Sequence, residues 1–455
     1  MKIHREALTS ESHLSDEGDC CKKITIFACS TKIKDQMPAY FPISEVRRFD
    51  RLRNPIPVKF YLRPIVWLLS FPVFWLHRSK ISRSGMKDVK PPYMLLCSHN
   101  AFYDFMVATV ATFPHQAYYV VAVDGFIGRE WLMRGVGCIG KRKFTNDVSL
   151  IRNLKSVLDR GKIAAFYPEA RYSLCGTNAV LPESLGKMVK MFKVPVATLI
   201  THGHHIDAPF WKGVNPKSRM LKTIAEQKLI LTPEQIETMS VAEINEVLNR
   251  EFEYDDFKWQ KENKVRVSSE KRAEGLEHVL YKCPQCGTEY RMSTKGTILS
   301  CGHCCHEWEM SEYGELRALK GETYFSHIPS WYEWQRECVK KEVKEGNYLL
   351  DVPCKIMSLP NSKGFINIGE GRLVHNSEGF LLSSCWQGKE WELRIPTSSL
   401  YSVHIEYNYK KEHRDCIDLS TLDDTFYIYP KGSDFSVTKV SLATEELFKN
   451  AWGKQ

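Results

Sequence analysis

The stretch Tyr93-Met94-Leu95-Leu96-Cys97-Ser98-His99-Asn100-Ala101-Phe102-Tyr103-Asp104, followed by a hydrophobic run over residues 105–112, decides the fold. Five apolar residues, a polar turn and a helix-length apolar segment describe a buried strand that feeds a helix. Working outward, short apolar runs at residues 117–123, 163–167 and 194–200 alternate with helical stretches. In residues 147–159, for example, Val148, Leu150, Ile151, Leu154, Val157 and Leu158 recur at helical spacing. This alternation predicts an α/β domain.

A His at the end of a strand, with a carboxylate five residues on, can act as a general base whose imidazole that carboxylate orients. The spacing occurs three times, at His99/Asp104, His202/Asp207 and His413/Asp418, so spacing alone does not select a site. The third pair lies in a charged stretch and reads as a solvated surface feature. His202, His204 and His205 read as a loop after the 194–200 strand and receive no role. What separates the first pair is its ordered company. Downstream come Gly135-Val136-Gly137-Cys138-Ile139-Gly140-Lys141-Arg142-Lys143, then Phe166-Tyr167-Pro168-Glu169-Ala170-Arg171-Tyr172-Ser173, then Val194-Pro195-Val196.

In these four blocks the chain resembles the glycerolipid (lysophosphatidate-type, 1-acylglycerol-3-phosphate) acyltransferase family. That family carries N/S-H-x4-D, a Gly-rich block ending in a cation, F-P-E-G-x-R-S and V-P-hydrophobic in the same order. The resemblance implies an O-acyltransferase of phospholipid biosynthesis. His99 would take the proton of an acceptor hydroxyl, and that hydroxyl would attack an acyl thioester of coenzyme A or acyl carrier protein. Asp104 would hold the imidazole. The resemblance also implies that Arg142 and Arg171 bind an acceptor phosphate, that Glu169 binds the glycerol or orients Arg171, and that Pro195 lies at the substrate. Lys141 and Lys143 compete with Arg142 for the second-block role. Ala170 replaces the family's Gly, Arg171 stands one place closer to Glu169 than the pattern has it, and Ala197-Thr198 replaces a second Pro.

The 63 Lys and Arg against 54 Asp and Glu leave +9 on 455 residues, which favours an anionic partner without choosing one. Residues 1–23 have no apolar run and residues 24–29 are too short for a signal-peptide core, so export is not expected. Residues 64–76 (PIVWLLSFPVFWL) would cover about 20 Å as a helix, against about 30 Å of hydrocarbon. Rich in Trp and Phe and flanked by Arg and Lys, they read as an interfacial anchor within residues 60–77. The expected location is the cytoplasmic side of a membrane, peripheral or monotopic.

Fifteen cysteines in a long chain without a secretory signal point to reduced thiols. Cys283-Pro-Gln-Cys286 and Cys301-Gly-His-Cys304 are two CxxC knuckles separated by fourteen residues, a pattern able to close a tetrahedral structural zinc site. The segment resembles rubredoxin-like zinc ribbons, with Leu299 and Trp308 around the second knuckle. From residue 283 to 315 only Arg291 and Lys295 stand against Glu289, Glu307, Glu309, Glu312 and Glu315, which argues against a nucleic-acid partner.

After a Trp-rich helical piece at 327–343, strand-like runs occur at 364–368, 372–375, 379–383, 391–395, 400–407, 425–429 and 436–440. With an amphipathic end at 441–452 they predict an antiparallel barrel or sandwich with a terminal helix. Loosely, it resembles pleckstrin-homology or GRAM-like domains. The expected division is a functionally unassigned extension (1–55), an acyltransferase domain (56–265), a zinc ribbon (266–315) and a β-rich domain (316–455).

Overall fold

The run Tyr93–Cys97 is a wholly buried strand at the middle of a seven-stranded sheet. A computed structural model describes residues 45–213, 218–409 and 414–452. The expectations for residues 1–44 and for His413 lie outside the described residues.

The first unit contains, in order, α1 (Arg63–Leu76), β1 (Lys80–Ser84), β2 (Tyr93–Cys97), α2 (Asp104–Thr112), β3 (Ala117–Ala122), α3 (Glu130–Gly135) and β4 (Cys138–Lys141). It continues with α4 (Val148–Asp159), β5 (Ile163–Phe166), α5 (Ser184–Phe192), β6 (Val196–His202), α6 (His204–Asp207) and β7 (Ile224–Leu231). The strand order is β1-β7-β6-β2-β5-β3-β4. β6, β2, β5, β3 and β4 run parallel, while β7, with β1 beside it, runs the opposite way. Continuous apolar residues in β2 and β5 follow from burial on both faces of a parallel sheet.

Helices α7 (Pro233–Thr238), α8 (Val241–Glu251) and α9 (Asp256–Glu262) follow. The helix expected from Thr232 towards Arg250 is two helices, because Ser240 and Glu243 form a second capping box after that of Thr232 and Gln235. The charged stretch after residue 251 also hides a helix: Asp255 caps α9, whose Phe257 is buried.

The Cys-rich segment forms β8 (Met292–Lys295), β9 (Ile298–Cys301), β10 (Glu307–Met310) and β11 (Leu316–Ala318), an antiparallel sheet in the order β11-β10-β9-β8. The ribbon therefore runs past residue 315. Helix α10 (Ile328–Glu345) seats Trp331 edge-on against Trp308 at 4.9 Å, both fully buried.

A separate antiparallel sheet then forms from β12 (Leu350–Ser358), β13 (Ile366–Asn376), β14 (Gly379–Trp386), β15 (Lys389–Pro396), β16 (His404–Tyr409), β17 (Arg414–Ser420) and β18 (Thr425–Pro430), and ends in α11 (Val437–Trp452). Its order is β15-β14-β13-β12-β18-β17-β16. Residues 436–440, expected as a strand, instead lead into α11. Asp418, expected on a solvated surface, is 4% exposed in β17. Cys416, Ile417 and Leu419 are buried along that strand, and Lys143 of the first unit lies 3.4 Å from the carboxylate.

The largest apolar cluster ignores these divisions. It runs from Phe210 and Trp211 of the first unit through Leu299 and Trp308 of the ribbon and Trp331 of α10 to Tyr407 and Phe426 of the last sheet.

Candidate functional site

β2 ends at the centre of the sheet, and the turn after it is closed by Asp104, in the first turn of α2. Its Oδ2 accepts the backbone N–H of Asn100 at 2.6 Å and of Ala101 at 2.9 Å. A carboxylate at a helix start also meets the positive end of the helix dipole. The same Oδ2 lies 3.1 Å from His99 Nδ1, while Oδ1 lies 2.6 Å from His204 Nδ1. Burial opposes the charge of Asp104, but the hydrogen bonds from His204 and His99 outweigh it and hold the pKa near 2.

The His99 ring lies between Tyr167, at 4.2 Å, and Tyr172, at 4.0 Å, and its side chain keeps 21% exposure. Among the described residues none bonds its Nε2. With Nδ1 committed to a carboxylate and Nε2 free, the ring can accept a proton from a hydroxyl group.

The third sequence block holds this loop from behind. Glu169 Oε2 accepts the backbone N–H of His99 at 2.9 Å, and Oε1 accepts that of Ala179 at 2.7 Å. Ser173 N–H donates to the His99 carbonyl at 2.8 Å. Tyr254 OH donates to Asn100 Oδ1 at 2.8 Å. Burial pushes the Glu169 carboxyl up to about 7, against the pull of the Ala179 and His99 amides. Glu169 is 1% exposed and both its carboxylate oxygens accept backbone N–H groups, so in this structure it supports the His99 loop. Ala170 beside it has φ 55°, the left-handed region in which glycine is favoured, so the residue that departs from the family pattern sits where glycine's freedom is useful.

The two arginines expected at an acceptor phosphate are held by the C-terminal part of the chain. Arg142 Nη1 donates to the Leu359 carbonyl at 2.8 Å and to Thr425 Oγ1 at 2.9 Å, and Nη2 donates to the carbonyls of Pro360 and Asp423, both at 2.9 Å. Arg171 donates to Ser441 Oγ at 2.6 Å and pairs with Glu445 at 2.8 Å. Lys143, the alternative cation, lies 3.4 Å from both Glu406 and Asp418. Burial disfavours its charge, yet Asp124, Asp418 and Glu406 together raise its pKa. In this structure these cations join two parts of the chain, and each is already satisfied. Pro195 precedes β6 and accepts the N–H of Met94, at the opposite end of β2 from His99. Five residues of strand rise put it about 17 Å from the level of Ser98, so the structure does not bring it together with His99.

Sequence reasoning passed over His204. The Thr-His-Gly-His-His motif, expected as a loop, ends β6 with Thr201 and His202 and opens α6 with His204 and His205; it is the only signal for His204, and spacing along the chain does not show that residue 204 meets residue 104.

The four cysteines come together as expected. Cys283, Cys286, Cys301 and Cys304 place their Sγ atoms within 4.8 Å of one another. Cys283 and Cys304 are 3.7 Å apart, and Cys286 and Cys301 3.8 Å. Sulfurs bound tetrahedrally at about 2.3 Å from zinc would be separated by about 3.8 Å, so the group could hold a zinc ion.

No protein-family model and no curated protein matches the chain. The solved structure of the 1-acyl-sn-glycerophosphate (LPA) acyltransferase PlsC from Thermotoga maritima is similar at 15% identity and a TM-score of 0.32, over 42% of this chain and 79% of that chain. That likeness is too distant to define the fold.

Arg142→Ala should strand three buried acceptors, the Leu359 and Pro360 carbonyls and Thr425 Oγ1, and lower unfolding free energy by about 3–5 kcal/mol, measured by denaturant titration. A stability equal to the parent's, with a raised KM for an anionic substrate, would instead return Arg142 to the substrate. Cys301→Ser should lose the metal from protein purified with about one zinc per chain, read by elemental analysis, and should lower the thermal midpoint.

Proposed function

We propose that this chain is a membrane-surface acyltransferase that moves a fatty acyl group from a thioester to the hydroxyl of a lysophospholipid such as lysophosphatidate, with His99 as general base. The observation that carries the reading is the His99–Asp104 pair at the C-terminal end of a central parallel strand, with Nδ1 on the carboxylate and Nε2 unbonded. In the reaction, Nε2 takes the proton as the acceptor oxygen bonds to the acyl carbon. The C–S bond then breaks, and the imidazolium returns the proton to the departing thiolate of coenzyme A or acyl carrier protein. Asp104 holds the Nδ1–H tautomer and stabilises the imidazolium.

Helix α1 supports a membrane location. Its inner face packs Trp67 and Phe71 on Phe113, while Leu68 is 73% exposed and Trp75 66% exposed on the outside, in line with Ile65, Leu69 and Leu76. Phe60 and Tyr61 extend the apolar face, and Arg53, Arg78, Lys80 and Arg83 around it are exposed. Among the described residues no helix is long and apolar enough to cross a membrane. An amphipathic helix lying in the headgroup region, on the cytoplasmic leaflet, fits this pattern.

A second reading, a lipid- or protein-binding adaptor on an acyltransferase scaffold, is favoured by one observation: Arg142, Lys143 and Arg171 are all engaged by the C-terminal part of the chain.

Purified protein should consume acyl thioester in the presence of a lysophospholipid from a headgroup panel and form the diacyl product, and His99→Ala should lower that rate about 10²- to 10⁴-fold. No turnover with any donor or acceptor, alongside intact vesicle binding, would favour the adaptor. Replacing Leu68 and Trp75 together by Ser should weaken binding to anionic vesicles at least about tenfold in a sedimentation assay.

A further inference from the structure

Asp104 has two carboxylate oxygens, and only Oδ2 faces His99. Oδ1 accepts a hydrogen bond from His204 Nδ1 at 2.6 Å, shorter than the 3.1 Å contact to His99. His204 is fully buried, and its Nε2 has no hydrogen-bond partner. A proton on that nitrogen would find no acceptor, so the tautomer with hydrogen on Nδ1 is the one that suits the site.

The chain goes to some length to place this ring. Gly203, φ 83°, turns the end of β6 into α6, and a Cβ there would lie 2.7 Å from Trp259. The N–H groups of Asp207 and Ala208 then close on the carbonyls of Gly203 and His204. Tyr103 packs against the ring at 4.6 Å and is itself held by His77, stacked on it at 4.1 Å, and by Asp207, which accepts its hydroxyl at 3.1 Å.

We propose that His204 is a positioning residue for the general base, so that the working unit is the series His204–Asp104–His99. Its donation to Oδ1 fixes the carboxylate plane and leaves Oδ2 directed at His99 Nδ1. This rests on His99 being the base of the proposed acyl transfer. The role of the bond itself can be read without any turnover.

The test compares His204→Asn with His204→Gln, which carry the same amide on stems of different length. The Asn nitrogen falls near the position of Nδ1 and the Gln nitrogen near that of Nε2. H204Q should lower kcat about 10- to 100-fold with KM for the thioester within about twofold of the parent, and H204N should recover most of that loss. Equal kcat in the two variants would overturn the proposal. Proton NMR of the parent at low temperature provides the second readout. Two imidazole N–H resonances should lie downfield of the amide envelope, both shifted upfield or lost in Asp104→Asn, whose neutral amide keeps only one, weaker acceptor oxygen, and one absent in H204Q. A parent spectrum that lacks a His204 resonance, or an H204Q spectrum in which the His99 signal is unmoved, would also overturn it. Both resonances in a protein with no acyl transfer would uphold the His204 bond while removing the function assigned to His99.

Discussion

Everything near His99 depends on one buried carboxylate. Asp104 is 2% exposed, and a charge at that depth persists only if it is surrounded by donors. It receives hydrogen bonds from the Asn100 and Ala101 backbone and from two imidazoles, so one group closes the turn after β2, starts α2 and orients His99. Glu169 repeats the device a layer further back, gripping the amides of His99 and Ala179. The block containing Glu169 thereby acts through the geometry of the loop before it.

A second set of buried charges ties the α/β unit to the last sheet. Arg142, Lys143 and Arg171 leave the first unit as consecutive features of two sequence blocks and end among carbonyls and carboxylates of the C-terminal part. Arg336 joins the same network by bridging to Glu445 at 2.6 Å, so that this carboxylate is shared by two guanidinium groups. Removing either partner from such a pair leaves an uncompensated charge, which is why these contacts specify how the two parts face each other.

The parallel core was legible because strands buried on both faces need uninterrupted apolar residues, and the stretch from Tyr93 to Asp104 displays this directly. The cysteine cluster was legible for a similar reason: four thiols in two knuckles limit the geometry that their loops can adopt. The histidine and aspartate pair could be read because its five-residue spacing is local. The partners of Arg142 and Arg171 could not be read, since residues 425 and 445 lie more than 250 positions away and nothing in a Gly-rich block records which carbonyl will face it. For the same reason His204 was passed over, and Asp418 was mistaken for a surface residue although its neighbours Cys416, Ile417 and Leu419 are buried.

The apolar cluster that passes unbroken from Trp211 through Trp308 to Tyr407 also bears on how this chain can be divided. Boundaries drawn by composition or motif mark pieces of sequence, while the unit that folds is larger. A fragment ending before β12 would expose the side of Phe210 that meets Tyr407 and leave the guanidinium groups of Arg142 and Arg171 without their partners. Such a piece would be sticky towards both hydrocarbon and anions. Lipid or nucleic-acid binding by it would report the cut face, and the activity of the α/β unit is best sought in the intact chain.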